Sequence, residues 1–327
     1  MPKATFEWLP VTTRSSGEKL SIALHTLEGT TAGPTLGLFS TSHGDEAYAV
    51  LVIREVLKRV DPTKLKGKIL AMPLGNPIAF ESFTRTTGQG MNTDMNNMNR
   101  VFPGDAGGWL TQQMAHTISS RFVANIDYLL DFHCGGVESG IDYVLTHAGG
   151  NDTHEQSRHL SRVYGTEILF EHAKAVHSGT LTDLAIERGK PSVVVEVGGS
   201  VSANDPTYLE KCVQGVFNVM IELGMWQGQK VLPKKQYLMR RRVLVRPTNG
   251  GMFQPEVHMD RLGKAVKGGT VLARVFNAQT FEELDVFTAP YDETIMIMMR
   301  GLLSRVNPGD YAYILGDFSS AEVIVNA

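Results

Sequence analysis

Over its first two-thirds the chain alternates short apolar runs with amphipathic stretches. Residues 35–41 are an apolar run bounded by Gly33-Pro34 and by Ser42-His43-Gly44, and they predict a buried strand. From 46 to 60, apolar residues at 49, 50, 52, 53, 56, 57 and 60 make a helical stripe that Asp61-Pro62 ends. Strand-like runs recur at 68–73, 126–132 and 192–197, and helical patterns at 110–122, 153–164, 181–188 and 206–223. Gly224 closes the last helix. Strands alternating with helices predict an α/β fold: a mixed, largely parallel sheet with helices on both faces.

Past residue 228 the texture changes. Short β-rich pieces at 242–245, 271–276, 284–288, 294–299 and 311–315 are separated by Gly, Pro and Asn, with no helical pattern. The polar stretch Gln227-Gly228-Gln229-Lys230 marks the change, giving one domain over 1–228 and a small all-β domain over 229–327.

Composition narrows the function. Lys+Arg 31 against Asp+Glu 34 leaves a net charge of −3, so nothing global points to nucleic acid or an anionic membrane surface. Two cysteines, Cys134 and Cys212, cannot make a disulfide framework, and a reducing compartment is the simpler reading. No apolar run approaches the ~18 residues of a membrane span, and the first residues lack the apolar core of a signal peptide. The expected location is the cytoplasm.

His43 and Glu46 straddle a predicted strand-to-helix junction, where a turn brings positions i and i+3 to one side. His25 and Glu28 repeat the spacing, but inside a strand-like run whose residues three apart face opposite sides. His133 follows the apolar run 126–132, so it too sits at the carboxyl end of a strand, the edge at which open α/β sheets bind ligands. Two His and one Glu at that edge match a catalytic zinc site with one position left open, the alternative being a solvated loop and a satisfied strand-end histidine.

Glu196 lies in the otherwise apolar Val193-Val194-Val195-Glu196-Val197, where a carboxylate is costly to bury unless something pairs with it. Its functional reading is a general base for metal-activated water; its bland reading is a structural ion pair. The segment 76–104 holds four Asn between 92 and 99, and two arginines, Arg85 and Arg100. Arginines suit planar carboxylates and developing oxyanions, or are solvated surface charge.

The other histidines carry less. His154/His159 and His172/His177 are five apart, ~140° around a helix and poor chelates. His116, His147 and His258 have no evident partner, and Cys134 reads as a buried small side chain.

Taken together, these pieces resemble the succinylglutamate desuccinylase/aspartoacylase family of the zinc carboxypeptidase superfamily. His43-Gly44-Asp45-Glu46 is similar to the family's first ligand motif, and Asn76-Pro77 with Arg85 to its second. Asn97-Met98-Asn99-Arg100-Val101-Phe102 is similar to its Asp-Leu-Asn-Arg box, with Asn97 where Asp is usual. Asp131-Phe132-His133 matches the third ligand and Glu196-Val197-Gly198 the base motif.

The resemblance implies a zinc carboxypeptidase-like fold, His43, Glu46 and His133 as ligands of one Zn2+ per chain, and Glu196 as general base. It implies Arg85 as the group polarising the scissile carbonyl, and Asn99 with Arg100 as the clamp on the substrate's α-carboxylate. The implied activity is release of an acetyl- or succinyl-type acyl group from an N-acyl amino acid, a small-molecule partner. Residues 1–228 would then be the catalytic domain and 229–327 a lid, whose edge strands could serve a homo-oligomer.

Other readings compete. The tail also resembles the flattened barrel of biotinyl and lipoyl carriers, but its expected hairpin tip, Asn277-Ala278-Gln279-Thr280, has no lysine. A degenerate metal-free binding protein, and a zinc carboxypeptidase acting on peptides, are the remaining alternatives.

Overall fold

Two long strands open the chain in the computed structural model, which describes residues 2–88, 97–147, 149–172 and 178–326. They are β1 (Lys3–Thr13) and β2 (Lys19–Glu28), an antiparallel pair. β2 buries Leu20, Ile22 and Leu24, and β1 is an outer edge with Phe6 and Trp8 exposed. β3 (Thr31–Ser40) and β4 (Lys66–Met72) are parallel neighbours joined through α1 (Tyr48–Arg59). The apolar stripe of α1 puts Ala49, Val52, Ile53 and Val56 against the sheet, as its spacing predicts.

The segment between β4 and the next strand carries two helices, α2 (Pro77–Ser82) and α3 (Leu110–Arg121). α2 begins where sequence chemistry says it should: Asn76 caps the Ala79 amide at 3.0 Å, and Pro77 occupies the first turn. β5 (Tyr128–His133) then pairs parallel with β3. β6 (Ser139–His147), α4 (Asp152–Tyr164), β7 (Ile168–His172), α5 (Leu181–Glu187), β8 (Ser192–Gly198) and α6 (Pro206–Glu222) follow.

The sheet runs β1-β2-β4-β3-β5-β8-β6. Its centre, β4-β3-β5-β8, is parallel, while β1-β2, β2-β4 and β8-β6 are antiparallel. α1, α4 and α6 share one apolar core with Leu130, Phe132, Val193 and Val195. α3 and α5 share another with Phe39 and Leu129, so helices cover both faces. Among the described residues no helix is long and apolar enough to cross a membrane.

The remaining strands are β9 (Lys235–Met239), β10 (Arg242–Val245), β11 (Gly251–Pro255), β12 (Ala265–Lys267), β13 (Val271–Phe276), β14 (Glu283–Thr288), β15 (Glu293–Arg300), β16 (Ser304–Val306), β17 (Tyr313–Asp317) and β18 (Glu322–Val325). They do not all form a separate layer. β6 forks: its last residues pair with β7, which pairs in turn with β9, and its first residues pair with β15. Beyond β15 come β17 and β10, while β18 returns to β9. Among the described residues, β14-β13-β11-β16 make a second sheet.

Candidate metal centre and active-site cavity

His43 reaches the sheet edge through a tight exit from β3. Thr41 takes a left-handed conformation (φ 61), and its hydroxyl donates to the Pro73 carbonyl at 3.1 Å. Gly44 follows because nothing larger fits: a Cβ there would lie 2.0 Å from the Ala79 carbonyl carbon. The turn folds Glu46 back onto His43, with Nδ1 and Oε1 2.9 Å apart. His133, the last residue of β5, brings its Nδ1 to 2.7 Å from the other oxygen, Oε2.

All three side chains are buried, and one ligand atom from each lies within 4.8 Å of the others. Two imidazole nitrogens and a carboxylate converging in this way suit a divalent cation of the zinc class. The far ring nitrogens have partners of their own. His43 Nε2 faces Asn97 Oδ1 at 3.1 Å, and His133 Nε2 faces Asp131 Oδ2 at 3.5 Å and Asn99 Nδ2 at 3.3 Å. The pair around His133 serves either tautomer: Nε2 accepts from Asn99, or it donates to Asp131 and leaves Nδ1 free to ligate. Thr182 fixes Asp131 by donating to Oδ2 at 3.0 Å.

Charge within this cluster is strongly biased. Burial would raise the Glu46 carboxyl, but His43, Arg85 and His133 together hold it well below its ordinary value. Burial would lower the His133 imidazole, but Asp131 and Glu46 hold it well above. Burial wins at His43, which is lowered. A cation among these atoms needs both imidazoles neutral at the ligating nitrogen, so it takes over the balancing role that protons play without it.

Glu196 stands beside His133 in the parallel register of β5 and β8, and opposite Tyr143 of β6. Burial, reinforced by Glu46, pushes its carboxyl up to about 7. Arg85 donates from Nη1 to Glu46 Oε1 at 2.5 Å, its side chain nearly half exposed. Asn99 accepts the Leu181 amide at 2.9 Å, and Arg100 Nη1 donates to the Asn99 carbonyl at 2.5 Å.

His43, Glu46, Arg85, Asn99, Arg100, His133 and Glu196 all line one cavity of about 1160 Å³. Sequence reasoning gave no role to Asp131, although two positions before His133 on a strand is the same face. It missed Asp45, whose Oδ1 is buried without a partner, and whose carboxyl burial raises to about 6. Tyr143 and Arg242 were also missed; strands this remote in sequence come together only through sheet pairing.

His25 and Glu28 stay on β2, away from any metal cluster among the described residues. Cys134 and Cys212 are buried free thiols. His159 pairs with Glu222 at 2.6 Å. The asparagines at 92 and 96, His177 and the side chains of His147 and His172 lie outside the described residues.

Comparison with known proteins shows what the chain is similar to. Residues 32–223 match the model of the succinylglutamate desuccinylase/aspartoacylase catalytic domain. The chain is 28% identical over 256 residues, 75% of its own length and 71% of the relative's, to an N-alpha-acetyl-L-2,4-diaminobutyric acid deacetylase of Halomonas elongata. In fold it is similar to a succinylglutamate desuccinylase from Silicibacter (TM-score 0.82, 22% identity, covering 96% and 94% of the two chains). It is also similar to the ectoine utilization protein EutE (DoeB) of Ruegeria pomeroyi (TM-score 0.81, 23% identity, 97% and 95%).

Proposed function

Because the chain belongs to the succinylglutamate desuccinylase/aspartoacylase family and is thus a hydrolase of amide bonds in N-acyl amino acids, we propose that it works with one zinc ion held by His43, Glu46 and His133. The observation that carries this reading is the convergence of those three buried side chains beside Glu196. When bound, the ion supplies Lewis acidity for the acyl carbonyl and acidifies water.

The chain's own residues do the rest. Glu196 takes a proton from the attacking water and returns it to the nitrogen as the C–N bond breaks. Burial raises its carboxyl, which favours accepting and holding that proton. Arg85 donates to the oxygen on which negative charge develops, a contribution worth ~3–4 kcal/mol for a well-placed donor. Arg100, positioned through the Asn99 carbonyl, takes the α-carboxylate in a bidentate pair. The products are a carboxylic acid and a free amino acid. Residues 229–327 serve on this reading as a lid, and the cytoplasm is the expected compartment.

The test is metal content by mass spectrometry of the purified protein, together with turnover of acetylated and succinylated amino acids and of short peptides, with and without chelator. Zinc near one per chain and chelator-sensitive release of free amino acid support the reading. Zinc-replete protein that cleaves no N-acyl amino acid overturns it, and preferred cleavage of peptides replaces the substrate class.

A further inference from the structure

We propose that the substrate carries an apolar group of several carbons, and that this group lies on a floor running from β6, beside Glu196, across the sheet into β10. The inference rests on the deacylase reading above and adds the chemistry of the group the cavity accepts.

The floor follows from strand register. Glu196 of β8 is opposite Tyr143 of β6, so Val194 on β8, and Ile141 and Leu145 on β6, share its face. Met298 of β15 is opposite Ile141, Ile314 of β17 is opposite Met298, and Leu244 of β10 is opposite Ile314. Residues directly opposite in a sheet point the same way. One apolar row, Ile141–Met298–Ile314–Leu244, therefore crosses four strands, about 14 Å at ~4.8 Å per strand, while Val194 and Leu145 form a second apolar pair on the other side of Glu196 and Tyr143. All six apolar residues line the same cavity as His43, His133 and Glu196.

Size and charge agree. The cavity, about 1160 Å³, exceeds the ~300–1,000 Å³ usual for drug-sized ligands, whereas an acetylated small amino acid is much smaller than such a ligand. Two of the cations bordering the row are engaged. Arg300 pairs with Glu138, and Arg242 stacks 4.3 Å over Phe170 and donates to the Tyr143 hydroxyl at 3.4 Å. The surface between them offers hydrocarbon, from nearly buried Met298 to Leu244 at 38% exposure. Water over such a row is displaced favourably by an apolar group and not by a second carboxylate.

The apolar group could hang from the acyl carbon or from the amino acid's side chain, and two substrate series separate these sources. One lengthens the acyl group on alanine (acetyl, butyryl, hexanoyl, octanoyl). The other keeps acetyl and varies the amino acid (alanine, leucine, phenylalanine, aspartate, diaminobutyrate). With the zinc-loaded enzyme, kcat/KM should rise along one series by roughly fourfold per methylene buried, mostly through KM. Leu244→Asp, at the most exposed end of the row, should cut that preference at least tenfold, and Leu244→Met should restore it.

Flat series, or a preference for aspartate, diaminobutyrate or succinyl over apolar groups of equal size, overturn the proposal while leaving the deacylase reading intact. If no amide is cleaved, the deacylase reading fails instead, and the floor is read by calorimetry. Tighter binding of N-hexanoylglycine than of N-acetylglycine supports it, and equal binding overturns it.

Discussion

His43 presents Nε2 to the side-chain oxygen of Asn97 at 3.1 Å, and that same oxygen accepts the Asn99 amide at 2.9 Å. Asn97 stands where the family pattern has Asp, and it keeps the acceptor while dropping the charge. An acceptor on the far nitrogen of a ligating imidazole fixes the ring's orientation, and its loss typically costs ~10–100-fold in metal affinity. Asn97→Ala should therefore weaken zinc binding by about that factor, while Asn97→Asp, which retains an acceptor, should not. Competition against a chelating dye measures both. Equal affinity in Asn97→Ala and the unchanged protein would remove Asn97 from the centre.

Glu196 and His43 separate chemistry from metal retention. Glu196→Gln keeps the volume and loses the proton acceptor, so it should bind zinc normally and lose turnover by orders of magnitude. His43→Ala should lose the metal itself. Metal analysis beside kcat distinguishes them; full activity in a zinc-loaded Glu196→Gln protein excludes Glu196 as the base.

Gly44 is a steric necessity. A methyl at this position would sit 2.0 Å from the Ala79 carbonyl carbon and 2.3 Å from the Phe80 nitrogen. Either α2 or the loop bearing His43 and Glu46 must move. Gly44→Ala should cost ~1–3 kcal/mol, as overpacking generally does, and lower zinc occupancy as well. Thermal unfolding at fixed zinc, with metal analysis, reads both; an unchanged Tm and full occupancy would show that the loop has slack.

Away from the centre, Glu222 ties α6 to the segment that follows it. Lys230 and His159 hold its carboxyl below the ordinary 4.5. A depressed folded-state pKa stabilises above the unfolded value and loses that contribution as pH falls through the folded one. The Tm deficit of Glu222→Gln should thus be present at pH 6 and shrink progressively as pH falls below the ordinary 4.5. A deficit that stays constant throughout that fall would mean that packing, not charge, is responsible.

Much of the architecture is legible where a local pattern decides it. The stripe of α1 reads directly, as do the apolar β5 and β8, because each buries a periodic face. His43, Glu46 and His133 are legible for a related reason: each sits where a predicted strand ends. β6 is harder. Gly140, Asp142 and Thr146 break its apolar pattern, and Asp142 is tolerated because Lys211, at 2.8 Å, and Tyr208, at 3.1 Å, pair with it from α6. No local signal announces that pairing, nor the meeting of Met298 with Ile141 across more than 150 residues of chain. Asp131 was within reach, since alternation along β5 puts it under His133.

The fork in β6 has a mechanical consequence. The strand hydrogen-bonds β8, which carries Glu196, along one edge and the later β15 along the other, and β7 pairs with β9 besides, so two backbone ladders tie the later strands to the sheet. Swinging the tail aside would mean tearing both. The cover that residues 229–327 give the cavity is therefore a wall continuous with the sheet that carries the site, and not a hinged flap.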